Sequence, residues 1–379
     1  MLFSLVLLAL VSFAVAIFLY ASGYAMLVPI HLALATGAMP LITGAMIYFV
    51  PVLTRSSQHA RRIHALPWLM LLAGMLAVSS FLFPSTPPAL RIVAAILGIT
   101  TAAILAWWIF RLSHNSLGGS HPGAYWYQAA MIFLLIGLLA VLLMQHWPSQ
   151  YLALRRFHLH LNTLGFIAIT AVGTLQVLLP TALGQPDMQA AQRLRNDLKW
   201  VVAGTVLIAA GAAWVWPLIW PGLLCWLWPL VCLGKSWLSL YRSSPQHWNA
   251  NCAAIAGSLP GLLIIFVLGA AHASKLVSTI HASLAFVFIF LFPLVTSAAS
   301  YLIPLWIRPG MQTEWHTRTR LYLARFSQLR LALFIGSGIL ISIGLLEWGW
   351  PLATIAMGLF FARLIVLITG LTKDTTIWS

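Results

Sequence analysis

Acidic and charged side chains are scarce in this 379-residue chain. Asp and Glu together number 5, and charged residues of both signs make up only 7% of the sequence. Hydrophobic residues make up 61%, well above the apolar share of about 45–50% in ordinary soluble domains. The composition therefore excludes a soluble globular protein and predicts an integral membrane protein in contact with the lipid bilayer.

Cysteine is also scarce, and its spacing excludes several kinds of redox site. Cys225, Cys232 and Cys252 form no C-x-x-C pair, so the sequence indicates neither a thiol redox pair nor a zinc knuckle. The absence of C-x-x-C-H excludes covalent attachment of a c-type haem by that motif.

Basic residues exceed acidic ones, giving a formal net charge of +15. They fall in the short segments between apolar runs, so we interpret them as topology signals and expect no nucleic-acid partner. Most lie on one side, among them Arg193, Arg320 and Arg330, which assigns that side and both termini to the cytoplasm of a bacterial inner membrane. The opposite side carries Arg91, Arg155, Arg156 and Lys275.

Apolar runs of about 20 residues predict roughly twelve membrane spans and an all-α, multi-pass fold. The first run is expected to be a retained span, because it has no basic leader and no convincing cleavage site. The spans are predicted near 2–21, 26–50, 65–84, 90–111, 124–145, 157–180, 200–218, 220–240, 253–272, 279–304, 328–346 and 350–370.

Three of these spans share a pattern of histidine and proline. His31 precedes Pro51 by twenty residues and His160 precedes Pro180 by twenty, while His281 precedes Pro304 by twenty-three. The period predicts three four-helix repeats, near 1–120, 121–245 and 246–379, arranged with pseudo-threefold symmetry in a single membrane domain of residues 1–379. All three spans would enter from the periplasmic side, which places their histidines in the outer half of the membrane.

The sixth span carries a second histidine, His158, two residues before His160. In a helix the two side chains are about 200° apart, so they cannot chelate one metal ion but can serve two sites. Because an ionisable side chain is costly inside a membrane, each histidine is a functional candidate. The alternative is a pair of imidazoles that hydrogen-bond to neighbouring helices.

Glycines in the second and sixth spans have two interpretations. Gly44 and Gly173 each lie thirteen residues after a histidine, and Gly37 and Gly165 lie closer to it. Small residues allow membrane helices to approach closely. The same positions would also leave room for a flat macrocycle against a helix face.

The sixth span combines H-x-H with a Leu-Gly pair at Leu164 and Gly165, a later glycine at Gly173 and a terminal Leu-Pro at Leu179 and Pro180. This combination resembles the haem-ligating helix of subunit I of the haem-copper oxidases and nitric oxide reductases. The chain is also similar in length and span count to the NnrS family of haem- and copper-containing membrane proteins. The resemblance implies a fold like that of oxidase subunit I. It further implies one or two haem b groups, with copper left open as a second cofactor.

The resemblance also implies roles for individual residues. His160 would ligate the low-spin haem, with His281 or His31 on the opposite face of the iron. His158 would ligate a high-spin haem facing copper, and Arg155 and Arg156 would pair with haem propionates. His272 and His31 are further candidate copper ligands. The chain has no adjacent His-His pair, so the copper site of the family is incomplete by motif.

These roles imply electron transfer, or the binding or turnover of nitric oxide or oxygen, with a cytochrome or quinol donor and other membrane subunits as candidate partners. Whether the chain is an enzyme stays open; such an enzyme would be an oxidoreductase. One alternative is a copper or haem transporter, whose site would lie near the bilayer centre instead of where the helices begin. Another is a cofactor-free scaffold subunit of a respiratory complex, which would be colourless.

Overall fold

The structure is a computed structural model, and it describes residues 1–56, 61–83, 85–116, 118–243, 245 and 248–372. Within these ranges the chain is helical, with no strand, and 86% of it is helix. We number twelve long helices in chain order: α1 Leu2–Ala21, α2 Leu27–Leu53, α3 Arg62–Leu82, α4 Ala89–His114, α5 Gly123–His146, α6 Pro148–Leu183, α7 Ala190–Ala213, α8 Trp216–Ser243, α9 Ala250–Ala273, α10 Thr279–Ile307, α11 Glu314–Ser342 and α12 Leu346–Thr372.

Eleven of the twelve helices are long and apolar enough to cross a membrane. The remaining helix is α7. Its first half carries the charged residues Arg193, Arg195, Asp197 and Lys199, which lower its mean hydropathy. The prediction of an all-α, multi-pass membrane protein is thereby confirmed. The helices are joined by short connections, so neighbours in sequence pack side by side, as α4 does with α3 and α5.

Three of the predicted spans differ markedly from the observed helices in their bounds. One of them is the span predicted at 328–346, whose helix α11 begins at Glu314 and ends at Ser342. The span predicted at 157–180 begins at Pro148 and ends at Leu183, so His158 and His160 lie more than two turns inside α6 and do not begin it. The span predicted at 200–218 ends at Ala213. It stops there because Pro217 favours the first turn of a helix, and Trp216–Leu218 opens α8 as a 3₁₀ turn.

The chain divides into two compact units. Unit 1 comprises Met1–Thr181 and Gln185–Ser236, and unit 2 comprises Ala182–Gly184 and Trp237–Ser379. In unit 1, α2 packs against α1 and α3, and α6 packs against α5 and α7. In unit 2, α10 packs against α9 and α11, and α11 packs against α12.

A π-helical segment interrupts α2, α6 and α10. The segments are Leu32–Ala38, Leu161–Ala168 and Phe286–Leu291. Each ends twelve or thirteen residues before the proline near the end of its helix, Pro51, Pro180 or Pro304. A π-helical turn contains about one residue more than an α-helical turn and is frequent at functional sites.

The histidines of the pattern lie next to these segments. His31 and His160 each immediately precede a π segment, whereas His281 lies five residues before Phe286. Thr36 and Thr163 donate hydrogen bonds to the carbonyls of Leu32 and Leu159, four residues earlier. These hydroxyl groups satisfy carbonyl oxygens where the regular pattern of backbone bonds is interrupted.

The glycines of α2 and α6 are packing contacts. A Cβ atom on Gly37 would lie 2.6 Å from Cε1 of Phe13 in α1. A Cβ on Gly165 would lie 2.6 Å from Cβ of Phe133, and a Cβ on Gly173 would lie 2.8 Å from Cβ of Trp126, both in α5. Gly44 meets Leu5 of α1 in the same way. Neighbouring side chains therefore fill the space that a macrocycle would need at these four positions.

Two arginines that we interpreted as topology signals lie within helices and are shielded from solvent, Arg193 in part and Arg330 fully. Arg193 lies in α7, where its guanidinium binds the Asp187 carboxylate at 2.7 Å, the Gln176 amide oxygen at 2.8 Å and the Ser236 hydroxyl at 2.8 Å. Arg330 lies near the start of Ser327–Ser342, the second part of α11, and is 1% exposed. Both therefore contribute to the packing of the units as well as to their charge.

The glycine contacts generate a stability prediction. Replacing Gly165 by Ala would force the new methyl group against Phe133, and overpacking of this kind costs about 1–3 kcal/mol. We expect Gly165→Ala to lower the unfolding temperature of the purified protein in detergent. The matched control is Gly269→Ala in α9, where a Cβ would meet nothing within 4 Å and where Ala should stabilise the helix by about 0.5–1 kcal/mol. Equal effects of the two substitutions would contradict the packing assignment.

Candidate functional site

His31 lies at the end of the first α-helical part of α2, Leu27–His31. Its Nδ1 is 2.8 Å from the carbonyl oxygen of Leu27, one turn earlier. Its ring packs on Phe81 of α3, with 4.6 Å between ring centroids. The imidazole is therefore fixed on two sides, by a backbone carbonyl and by an aromatic ring.

His158 is held by a neighbouring helix. Its Nδ1 is 2.7 Å from the carbonyl oxygen of Gly137 in α5. The Asn162 amide, one turn later in α6, donates to the carbonyl oxygen of His158 at 2.7 Å. A Cβ on Gly137 would lie 2.7 Å from Nδ2 of Asn162, so a side chain at this position would displace the Asn162 amide from its place beside His158.

Four of the predicted ligands share one arrangement of the ring nitrogens. Nδ1 of His31, His158, His160 and His272 lies 2.7 or 2.8 Å from a backbone carbonyl oxygen. A carbonyl oxygen can only accept a hydrogen bond, so Nδ1 must carry the proton. In a neutral imidazole this leaves the lone pair on Nε2, which is the nitrogen available to a metal or to haem iron. The carbonyl acts as the outer-shell partner that commonly orients a ligating histidine.

Unit 1 brings three of the predicted site residues together. His31 interacts electrostatically with His158 and with Arg155. His31 belongs to α2 and the other two residues to α6, so two helices that are distant in sequence contribute to one site. Arg155 and Arg156 are both exposed, and the Arg156 carbonyl accepts the hydrogen bond from His160 at 2.8 Å.

The remaining two predicted residues lie in unit 2, on either side of one connection. His272 is near the end of α9, and its Nδ1 is 2.7 Å from the carbonyl oxygen of Val277 in the segment that leads to α10. His281 lies in the first turn of α10, where its backbone N–H donates to the Ser278 hydroxyl at 3.2 Å. The pairing of His160 with His281 stays a prediction.

A three-ligand metal centre is not found in the part of the chain that the structure describes. No group of three or more His, Cys, Asp or Glu side chains comes together there in a position to hold a metal ion. The site in unit 1 is therefore a pair of imidazoles with a nearby guanidinium.

Three residues of this site were not predicted from the sequence: Phe81, Gly137 and Asn162. Asn162 could have been found, because it lies four residues after His158 and a side chain at that spacing shares its helix face. Gly137 and Phe81 belong to other helices. Nothing in the sequence indicates which residue of α5 or α3 faces the histidines.

Comparisons with known proteins found no match: no family model matches the chain, and neither a curated protein nor a solved structure matches it.

The proximity of His31 and His158 can be tested by cross-linking. We expect a His31→Cys, His158→Cys variant, in a background where Cys225, Cys232 and Cys252 are replaced by Ala, to be linked by a short bifunctional thiol reagent. A protease site inserted between α4 and α5 separates the two cysteines, so a cross-link keeps the fragments together on a denaturing gel.

The matched control for this experiment replaces Phe157 in place of His158. The Phe157 ring packs on Trp214, the residue that follows α7, at 5.2 Å between centroids, so its side chain faces the end of a different helix. The His31→Cys, Phe157→Cys variant should give much less product. Equal yields from the two variants would rule out the arrangement of α2 and α6 described above.

Proposed function

We propose that the protein binds haem b through histidines of α2 and α6 and acts in electron transfer, or in the binding or turnover of nitric oxide or oxygen. The observation that carries the proposal is the pair His31 and His158. Each has its Nδ1 bonded to a backbone carbonyl, and the two imidazoles interact electrostatically. Neutral imidazoles with Nε2 available are suitable ligands for haem iron.

A pair of histidines suits haem better than it suits a copper centre. The macrocycle supplies four nitrogen ligands, so haem iron needs only one or two from the protein. A blue-copper centre uses three side chains, two His and one Cys, and the described residues contain no group of three potential metal ligands. Copper therefore remains a second, separate prediction that rests on the resemblance.

The residues present fit haem in the chemistry of their donors. His31 and His158 would hold one group. The family roles still propose His160 as the ligand of a low-spin haem, with His281 or His31 opposite. Haem bound by two imidazoles transfers single electrons, and haem bound by one leaves a position for a diatomic gas.

Arg155 and Arg156 are proposed to pair with the haem propionates. Both are exposed, and they lie two or three residues before His158 in the same helix. The guanidinium group can form two parallel hydrogen bonds to a carboxylate. The electrostatic interaction of Arg155 with His31 places this positive charge close to the imidazoles, where the carboxylates of a bound haem would compensate it.

We also propose that the twelve helices form three four-helix repeats, α1–α4, α5–α8 and α9–α12, with pseudo-threefold symmetry as in oxidase subunit I. The π segment in the second helix of each group supports the proposal, because its position relative to the terminal proline agrees within one residue. The distribution of Lys and Arg supports cytoplasmic termini in a bacterial inner membrane and a haem site toward the periplasm.

Optical spectra of the purified protein test haem binding. We expect reduced-minus-oxidised bands of haem b and about one or two iron atoms per chain. In His31→Ala and His158→Ala, haem affinity should fall about 10-fold or more. Loss of a residue that only orients a metal ligand lowers metal affinity about 10–100-fold, and loss of the ligand itself should have at least that effect. His146→Ala, at the exposed end of α5, is the matched control and should keep its haem.

The outcome with carbon monoxide separates the proposed activities. Reduced bands that do not change with carbon monoxide indicate a six-coordinate haem and electron transfer, whereas a shift indicates an open iron position and gas binding. A colourless wild-type protein that takes up no added haem would disprove haem binding and leave the transporter or scaffold.

The arginines generate a separate prediction. We expect the double variant Arg155→Ala, Arg156→Ala to bind haem more weakly and to show a changed haem midpoint potential, because positive charges beside the propionates are lost. The control is Arg91→Ala, which removes a positive charge in α4, expected on the same membrane side. Unaltered haem content and potential in the double variant would refute the propionate assignment.

A further inference from the structure

Unit 2 contains a second cluster of charge, far in sequence from the histidines of α2 and α6. Around the junction of the two parts of α11, Glu314–Ala324 and Ser327–Ser342, several guanidinium groups lie on aromatic rings. We name this group of four residues the arginine cluster: Arg320, Arg325, Arg330 and Arg363.

Arg330 is the buried centre of the arginine cluster. Its Nη1 donates to the Leu323 carbonyl at 3.1 Å, and its Nη2 donates to the Ser300 hydroxyl at 3.1 Å. Its guanidinium carbon lies 4.7 Å from the centre of the Phe360 ring. Its Nε is buried and has no hydrogen-bond partner among the described residues. The positive charge of the Arg330 guanidinium is therefore shielded from solvent, and its Nε–H group is a donor with no acceptor among the described residues.

Arg320 lies beside Arg330, because both bind consecutive residues of α10. Nε of Arg320 donates to the carbonyl of Tyr301 at 3.1 Å, next to the Ser300 hydroxyl that binds Arg330. Its guanidinium also lies over the Tyr301 ring, at 4.1 Å. Its Nη2 is a second buried donor without a partner in the described ranges.

Two more guanidinium groups connect the arginine cluster to the surface. Arg363 of α12 lies over the Phe326 ring at 4.9 Å, and the exposed Arg325 lies over the same ring at 5.7 Å. Arg363 is one helical turn after Phe360, the ring that contacts Arg330. Shared rings and neighbouring partner residues therefore link the four arginines, from the buried Arg330 to the exposed Arg325.

No carboxylate of unit 2 in the described part of the chain compensates this charge. Glu314 is paired with Arg318 at 2.7 Å. Glu347 lies in the first turn of α12, sixteen residues before Arg363, which is about 24 Å along a helix. Buried positive charge without a counter-ion is strongly unfavourable, so a bound anion would stabilise the arginine cluster.

We propose that the arginine cluster binds a phosphate group, and that this group is the headgroup of an anionic phospholipid. Guanidinium groups match phosphate oxygens in geometry and charge. Leu321 and Leu329, next to Arg320 and Arg330 in sequence, are 52% and 49% exposed and offer apolar surface to the acyl chains. Basic pockets between membrane helices on the cytoplasmic side are known to bind such headgroups, and the charge distribution assigns this end to that side.

Thermal unfolding of the full-length protein in neutral detergent tests the proposal. We expect phosphatidylglycerol or cardiolipin to raise the unfolding temperature by about 3 °C or more above the effect of phosphatidylcholine. Native mass spectrometry should detect anionic lipid retained by the wild-type protein. In Arg320→Gln the temperature shift should be lost and lipid retention should fall about 10-fold, as expected for loss of a charged hydrogen-bonding group.

Arg318→Gln is the matched control, because Arg318 is in the same helix but is exposed and paired with Glu314. It should respond to lipid as the wild type does. Arg330→Gln should also lose the response, and if that variant does not fold, the half-exposed Arg320 still decides the question. The proposal is overturned if Arg320→Gln responds like the wild type or if phosphatidylcholine is equally effective. An equal shift with inorganic phosphate would show a site for free phosphate and would overturn the lipid assignment.

Discussion

A polar group inside a bilayer has to find its partner within the protein, because lipid offers none, and this constraint explains most of the polar contacts described above. The hydroxyl groups of Thr36 and Thr163 return to their own helices. Nδ1 of His158 reaches across to α5. Since a carbonyl fixes the proton on Nδ1, the same requirement leaves Nε2 of each such imidazole as the metal-binding nitrogen. The packing of the helices and the chemistry of the proposed haem site therefore have one cause.

Much of the fold could be predicted from the sequence because membrane spans depend on local composition. The span predicted at 2–21 coincides with α1, and that at 124–145 differs from α5 by one residue at each end. The early start of α6 could not be predicted, because its first turns include the exposed residues Arg155 and Arg156 and hydropathy does not distinguish an amphipathic helix end from a loop.

The candidate site was predictable in its residue types and much less in its pairing. The histidine period pointed to His31 and His160, and the structure adds an electrostatic interaction between His31 and His158 that the period did not indicate. The glycines of α2 and α6 had two interpretations that only the positions of Phe13, Phe133 and Trp126 could separate. Likewise, charge counting identified Arg330 only as a topology signal, although the Phe360 ring, the Ser300 hydroxyl and the Leu323 carbonyl hold it inside unit 2. Such partners are far apart in sequence, so no local pattern identifies them.

The π segments have a mechanical consequence. Each lies between a histidine and the proline near the opposite end of the same helix. A wide turn contains one extra residue, and one residue corresponds to about 100° of rotation about the helix axis. Converting the wide turn into a regular α-helical turn would therefore rotate the histidine about that axis relative to the proline end. The wide turn thus sets the direction in which each of these three histidines points relative to the proline end of its helix.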